Sequence, residues 1–421
     1  MTYVDRLTDG VIAARLQGAG GVLVTGPKAC GKTFSARQFA NSEVNLETDD
    51  RVGIASEVSP SVFLAGDTPR LIDEWQVMPG IWNQVRHEID QRQLKGQFIL
   101  TGSSTPNDTA KMHSGAGRIS RVTMRTLSWR ELGYSSGVIS LGSLLDAAQP
   151  PGIDSQESSV ALEEISRRLV VGGWPTNLGV DESQALVNNR DYIDLIAQVD
   201  LSRVAGVRRD PAKVARLIES YARNISTAAK MTSLTQDASN SGDDVTLTRD
   251  TAALYRSELE RLMLVEDLPA WNTHVRSSAK LRVTPKRHLT DASLAIAALG
   301  LDSASLIGEL NYMGFVFESA VVHDLRIYAQ LNDATLSYYL DSDNDEVDAI
   351  VEKRGGKWAA FEIKLGFRGA DAGAASLLRF LRKLAPEVQA KMQSLNVITG
   401  FGVAHTRADG VNVVPFGLLG V

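Results

Sequence analysis

Short apolar runs and helically spaced apolar residues alternate along the first 135 residues. Residues 21–25 (Gly-Val-Leu-Val-Thr) and 98–100 (Phe-Ile-Leu) have the length of buried strands, and 44–46 is a shorter one. Leu71-Ile72 leads into Asp73-Glu74 as the end of another. Between these runs helices are predicted within residues 1–20, over 34–39, and over 81–94, where Ile81, Val85, Ile89 and Leu94 recur near helical spacing. Met124-Arg125-Thr126-Leu127 reads as a last strand, and Ser128 as the cap of a following helix. Residues 47–68 give no clear pattern.

The rhythm changes further on. Residues 133–157 are rich in Gly, Ser, Pro and Asp and read as a boundary. Helical patterns over 158–170 and 181–204 are interrupted by Gly172-Gly173-Trp174-Pro175. Three helices are predicted over 214–222, 228–238 and 248–263, with a polar spacer at 240–244; 264–269 and 280–283 read as paired wing strands. The last stretch predicts an apolar helix over 315–322, strands over 336–340 and from about 345, a strand over 358–365, a helix over 374–384, and strands over 397–399 and 411–415. The expected class is α/β. The boundaries are a nucleotide domain over 1–135, a linker and helical region over 136–210, a winged-helix-like region over 211–300, and a C-terminal α/β domain over 301–421.

The loop after the first strand carries the most specific chemistry. Gly26-Pro27-Lys28-Ala29-Cys30-Gly31-Lys32-Thr33 is G-x-x-x-x-G-K-T. Phosphate oxygens require a ring of backbone N–H donors, and glycines let the backbone turn and come close. Lys32 reaches the β and γ phosphates, the Thr33 hydroxyl ligates magnesium, and the following helix, with Phe34, turns its N-terminal N–H groups to the same anion. Cys30 is read as a tolerated loop position. Forty residues on, Asp73 is placed to hold magnesium and Glu74 to polarise a water against the γ phosphate. ATP and Mg2+ are therefore the expected ligands. Ser103 and Ser104, after the strand at 98–100, are candidates to sense the γ phosphate, with a plain strand-end turn as the other reading. Arg118 and Arg121 are candidates for a charge-stabilising arginine, supplied in cis or by a neighbouring subunit; solvated or acid-paired arginines are the alternative.

In the C-terminal region, Glu318 falls on the apolar helix, Asp348 near the start of a strand, and Glu362 and Lys364 two apart on the next strand, hence on one face. Two carboxylates and a lysine between strands suit metal-assisted phosphodiester cleavage: Glu318, Asp348 and Glu362 as ligands, Lys364 positioning the water. A same-face ion pair in an inactive domain is the competing reading.

These features resemble a known group. The phosphate loop, Leu-Ile-Asp-Glu-Trp-Gln (71–76), Leu-Thr-Gly-Ser-Ser (100–104), Gly117-Arg118 and the segment 124–133 look like prokaryotic AAA-type ATPases, relatives of the AAA+ and archaeal ATPases, that carry a C-terminal domain of unknown function. The resemblance implies an AAA+-like ATP-binding domain with Asp73-Glu74 as the acidic pair, Ser103 or Ser104 near the sensor position, Arg118 or Arg121 as finger residues, and a winged helix in the middle. The spacing Asp-x13-Glu-x-Lys resembles the PD-(D/E)xK, restriction-endonuclease-like fold, with Val347 where that fold's name has proline.

Composition narrows the surroundings. Of 421 residues, 43% are hydrophobic and 22% charged, with no apolar run of membrane-spanning length and a polar N-terminus, so a cytoplasmic protein without membrane partners is expected. A single cysteine excludes an internal disulfide framework. The net charge of −6 argues against an obligate, strongly basic DNA binder, although residues 81–130 carry eight Lys or Arg against three Asp or Glu. Two readings follow. One is an ATPase coupling its nucleotide state to a nuclease-like domain on DNA or RNA. The other is an ATP-dependent switch or scaffold with an inactive C-terminal domain and protein partners. A homo-oligomer is compatible with both.

Overall fold

The computed structural model describes residues 3–50, 52, 60–103, 115–146, 153, 156–200, 210–240, 247–271 and 284–421. Ser104 and the wing strand expected at 280–283 lie outside the described residues. The chain divides into two compact units, the first built on Met1–Thr126.

The first unit runs α1 (Leu7–Gly18), β1 (Gly21–Thr25), α2 (Lys32–Arg37), β2 (Ser42–Asn45), β3 (Arg70–Asp73), α3 (Ile81–Arg92), β4 (Phe98–Gly102) and β5 (Ile119–Thr123). Its five strands are all parallel, in the order β2-β3-β4-β1-β5. Alternation splits each strand between two cores. Val22, Val24, Leu71 and Ile99 face one cluster with Ile12 and Leu16 of α1, whereas Leu23, Ile72, Phe98 and Leu100 face another with Ile81, Val85 and Ile89 of α3. A parallel sheet buried on both faces needs such runs, which is why these strands read as apolar stretches without polar interruption. The last strand is Ile119–Thr123, not 124–127; Met124 instead sits just beyond it, its N–H donating to the Thr25 carbonyl.

In the second unit α4 (Leu162–Val171) and α5 (Glu182–Leu195) precede α6 (Pro211–Arg223) and α7 (Met231–Ser239); α8 (Arg249–Arg261) follows them, its residues from Glu258 on being grouped with the first unit. After it come two antiparallel bridges, Val265 with Leu289 and Leu268 with Lys286. The segment at 264–269 thus pairs with 286–289. Then α9 (Ala292–Ala298), α10 (Ser303–Gly308) and the long α11 (Leu310–Leu331) lead into a six-stranded sheet. It contains β6 (Ala334–Leu340), β7 (Glu346–Lys353), β8 (Trp358–Lys364), β9 (Met392–Thr399), β10 (His405–Thr406) and β11 (Asn412–Pro415). β6, β7 and β8 form an antiparallel meander; α12 (Ala370–Lys383) then crosses over to β9, which runs parallel to β8. Ala374, Leu377 and Phe380 of α12 pack on Trp358, Ala360 and Val397 of the sheet. Among the described residues no helix is long and apolar enough to cross a membrane.

Candidate functional site

The parallel register aligns the carboxyl ends of the first sheet. Thr25 lies opposite Gly102, Asn45 opposite Asp73, and Ile72 opposite Leu100, so Asp73 and Thr101 come to one level beside the loop that leaves β1. Ligands of open parallel α/β sheets bind at this end.

The loop is shaped before any ligand is considered. A Cβ at Gly26 would lie 2.2 Å from the carbonyl oxygen of Met124, so only glycine fits. Gly31 has φ of +104° and Ala29 of +59°. Left-handed residues alternating with right-handed ones turn successive N–H groups toward one point, which makes an anion cup. Lys32 donates to the carbonyls of Gly26 (3.0 Å) and Pro27 (2.8 Å), which fixes its ammonium over the loop. Cys30 is buried, and its carbonyl accepts from Arg6, whose guanidinium also reaches the carbonyls of Arg125 and Thr126. Arg6 therefore ties the phosphate loop to the chain beyond β5. Phe34 is 56% exposed, and the Arg37 guanidinium lies over its ring at 5.8 Å from the centroid.

Asp73 is the best-held carboxylate here. Its Oδ1 accepts from the Thr33 hydroxyl (2.9 Å) and from the Thr101 hydroxyl, and its Oδ2 accepts from Asn45 Nδ2 (2.9 Å). A hydroxyl and a carboxylate oxygen this close are hard donors of the kind magnesium takes, so the pair fits that cation. Glu74, the next residue, has φ of +54°, an unfavourable backbone for a non-glycine residue and one that clusters at functional sites. Burial raises its carboxyl above the usual range, with Lys32 pulling the other way. Gln76 Nε2 donates to Glu74 and lies 3.5 Å from Ser103 Oγ, so Ser103 touches the site through Gln76.

The two arginines are not brought to this loop. Arg118 precedes β5 at the amino end of the sheet; its carbonyl accepts from Gly21 N–H and its side chain pairs with Asp90 at 2.6 Å on the surface. At about 3.3 Å per residue that end lies roughly 17 Å from the loop. Arg121 is exposed on the edge strand β5, opposite Leu23. Arg118 is thus held away from this nucleotide loop by its pair with Asp90. Asn45, Thr101, Arg6 and Gln76 escaped the sequence reading. The polar residue ending β2 was the available signal for Asn45; the others depend on register or on tertiary placement.

The C-terminal carboxylates also converge, but around a lysine. Phe361 pairs with Ala349, which sets Glu362 opposite Asp348 on neighbouring strands, and Glu318 approaches from α11. Lys286 inserts its ammonium among them. It donates to Glu318 Oε1 (2.7 Å) and Asp348 Oδ1 (3.0 Å) and pairs with Glu346. The other oxygen of Asp348 accepts from the Ile363 N–H (2.8 Å). Lys364 bonds Glu362 Oε1 at 2.8 Å and stands 3.9 Å from Asp348. Glu362 Oε2 is buried without a hydrogen-bond partner. Two ammoniums, Lys286 and Lys364, face three buried acids, Glu318, Asp348 and Glu362. Burial opposes ionisation of Asp348, but Lys286 and Lys364 outweigh it and hold this carboxyl below its ordinary range. Burial, then the Asp348 charge, raises Glu318 to about 8 and Glu362 to about 7. Among the described residues no group of three or more His, Cys, Asp or Glu is arranged to hold a metal ion. The expected triad of Glu318, Asp348 and Glu362 thus does not fit a divalent cation in this conformation, because Lys286 stands in it. Lys286 and Glu346 were absent from the sequence reading; Lys286 lies 32 and 62 residues from its partners Glu318 and Asp348, with no local pattern to link them.

Three families match the chain in succession. Residues 20–133 match the family described as AAA domain, 162–305 a domain of unknown function (DUF8612), and 313–419 another (DUF4143). Uncharacterized proteins of Mycobacterium bovis and Mycobacterium tuberculosis are each 24% identical over 351 residues, covering 82% of this chain and 70% of the relative. Among solved structures, a Walker-type ATPase of Pyrococcus abyssi is similar at 12% identity and a TM-score of 0.41, over 70% of this chain and 96% of that one. The ORC2 protein of Aeropyrum pernix is similar at 13% identity and a TM-score of 0.30, over 73% and 97%. With the phosphate loop and acidic pair, the match over residues 20–133 makes the N-terminal part an AAA-type, ATPase-like domain.

Proposed function

We propose that this chain, AAA-type over residues 20–133, binds and hydrolyses ATP and uses its nucleotide state as a switch on the C-terminal α/β domain. The observation that carries the proposal is Asp73, fixed by Thr33, Thr101 and Asn45 beside a pre-shaped phosphate loop, with the half-buried carboxyl of Glu74 following it. The loop N–H groups and Lys32 bind and orient the phosphates. Magnesium, when bound with the nucleotide, neutralises phosphate charge, and Thr33 and Asp73 are the residues that would hold it. Glu74 takes a proton from the attacking water, a task helped by its raised basicity, and Gln76 with Ser103 sets its orientation. Arg121, on the exposed edge strand, is the arginine we assign to a neighbouring copy's nucleotide in a homo-oligomer.

ATP turnover and ATP binding, measured side by side, test this. Lys32→Ala is expected to lose both; Glu74→Gln is expected to keep binding and lose turnover. Equal turnover in wild type and Lys32→Ala would refute the proposal.

A second reading, action on DNA or RNA through a nuclease-like domain, draws on the β6-β7-β8 meander followed by α12 and parallel β9, and on Asp348 facing Glu362 and Lys364. The three helices α6, α7 and α8 before the bridged pair 265–289 support a winged-helix contact to nucleic acid. The closure of the carboxylates by Lys286 favours the switch over the nuclease.

A further inference from the structure

We propose that Arg6, on the segment before α1, is a positioning residue for the nucleotide's phosphates: by holding the Cys30 carbonyl it aims the Gly31 N–H into the loop where they bind. The inference rests on reading Gly26 to Thr33 as the phosphate site, and it adds a residue from outside that motif.

A phosphate loop depends on which way each of its peptides faces. An N–H attracts the anion and a carbonyl oxygen repels it. In a trans peptide the two point in opposite directions, so fixing one aims the other. The Cys30–Gly31 bond is trans. The buried Arg6 guanidinium donates through Nη1 to the Cys30 carbonyl at 2.8 Å, which draws that oxygen toward Arg6 and turns the Gly31 N–H away from it. The carbonyls of Gly26 and Pro27 are held by a different cation, Lys32. On the proposed function Lys32 gives them up when it turns to the phosphates. Arg6 has no such second task, so the Cys30–Gly31 peptide keeps its orientation with or without nucleotide.

Further contacts hold Arg6 itself. Its Nη2 donates to the carbonyls of Arg125 (2.7 Å) and Thr126 (3.2 Å), so one planar fork bridges the loop and the chain after β5. Its backbone N–H donates to Asp9 Oδ2 (2.9 Å). The Tyr3 hydroxyl donates to the same oxygen (2.6 Å) and lies 2.8 Å from Ser35 Oγ. The segment from Tyr3 to Asp9 therefore grips the nucleotide element on both sides of Lys32, at Cys30 in the loop and at Ser35 on α2. A lysine at position 6 would keep the charge, but an ammonium has no planar fork to span both stretches.

The test is the affinity of the full chain for a fluorescent ATP analogue with Mg2+, beside steady-state ATP turnover and thermal melting. Arg6→Met is expected to weaken binding about tenfold or more, the loss that goes with one hydrogen bond to a charged group. KM should rise by a similar factor while kcat stays within about threefold, since the contact serves ground state and transition state alike. Leu16→Ala is the control for stability. It truncates the core on the same helix, roughly 15 Å along from Arg6, and should lower the melting temperature with affinity unchanged. Folded Arg6→Met that binds the analogue as wild type does overturns the proposal, as does a fall in kcat at unchanged affinity. Leu16→Ala weakening binding as much as Arg6→Met would make the effect one of stability and overturn it too. Arg6→Lys is measured in the same way if the methionine variant does not fold, with a loss in the same direction expected. Failure of both to fold would mark Arg6 as a folding residue and overturn the proposal. A wild-type chain that binds the analogue but never hydrolyses ATP refutes the turnover reading alone, and the affinities still decide the role of Arg6. A wild-type chain that binds no analogue refutes both.

Discussion

Glu74 sits one residue beyond an aspartate with three hydrogen bonds, yet its own carboxyl is raised by burial and held by a single amide, Gln76. On the proposed reading this contrast divides the labour between two adjacent acids: one fixed to hold the metal, the other to accept a proton. Glu74→Gln should leave ATP affinity near wild type and cut turnover by about 10²–10⁴-fold, the usual range for a general base, as read by steady-state phosphate release. Removing a support of Asp73 should be milder. Asn45→Ala deletes one bond to a charged group, worth about 1.5–3 kcal/mol, so a loss of turnover of about tenfold or more is expected with the fold intact. Gly26→Ala forces a Cβ against the Met124 carbonyl and should abolish nucleotide binding, measurable by a fluorescent ATP analogue. What could be read from the sequence at this scale was contiguous. The loop from Gly26 to Thr33 is a single stretch, and Asp73-Glu74 follows its own apolar lead-in. Thr101 and Asn45 reach Asp73 only through strand register, and Arg6 reaches the loop carbonyl from before α1, so no local spacing announces them.

Strands and helices follow the alternation of apolar residues closely where both faces of a sheet are buried. Val22 and Leu23, or Ile99 and Leu100, go to opposite cores, and the chain must be apolar at every position to fill both. Prediction slipped at 124–127, where Met124 and Leu127 are buried yet lie in the connection after β5. Met124 packs its carbonyl beside Gly26 and Leu127 donates its N–H to the Gly173 carbonyl, so a buried connection mimics a strand's composition. In the C-terminal sheet, period-two alternation brings Glu362 and Lys364 to one face, but nothing in it reveals the lysine from the bridged segment. The acids on β8 and α11 carry a consequence for pH. The folded-state pKa values of Glu318, about 8, and Glu362, about 7, lie above those of an unfolded chain. The folded state therefore binds more protons between pH 4.5 and 8, and the stability these groups contribute is complete at the acid end and is lost as pH rises through 7 and 8. Denaturant unfolding should show stability falling by a few kcal/mol from pH 5 to pH 8, and Glu362→Gln should flatten that slope.

For the whole molecule, two features with phosphate or cation chemistry share one chain. The first is a nucleotide loop with its parts in hydrogen-bond reach. The second is a carboxylate cluster closed by its own lysine. On the switch reading, ATP turnover is indifferent to added DNA or RNA, and no magnesium-dependent cleavage is seen in wild type. Nucleic-acid-stimulated turnover, lost in Lys32→Ala, would instead favour the nuclease-coupled reading. The measurement that bears most directly on the central claim is phosphate release from ATP by the full chain, wild type beside Lys32→Ala and Glu74→Gln, with ATP binding measured on the same samples. The account predicts turnover in wild type, loss of binding and turnover in Lys32→Ala, and binding without turnover in Glu74→Gln. A wild-type chain that binds no ATP, or a Lys32→Ala chain that hydrolyses it at the wild-type rate, would contradict it.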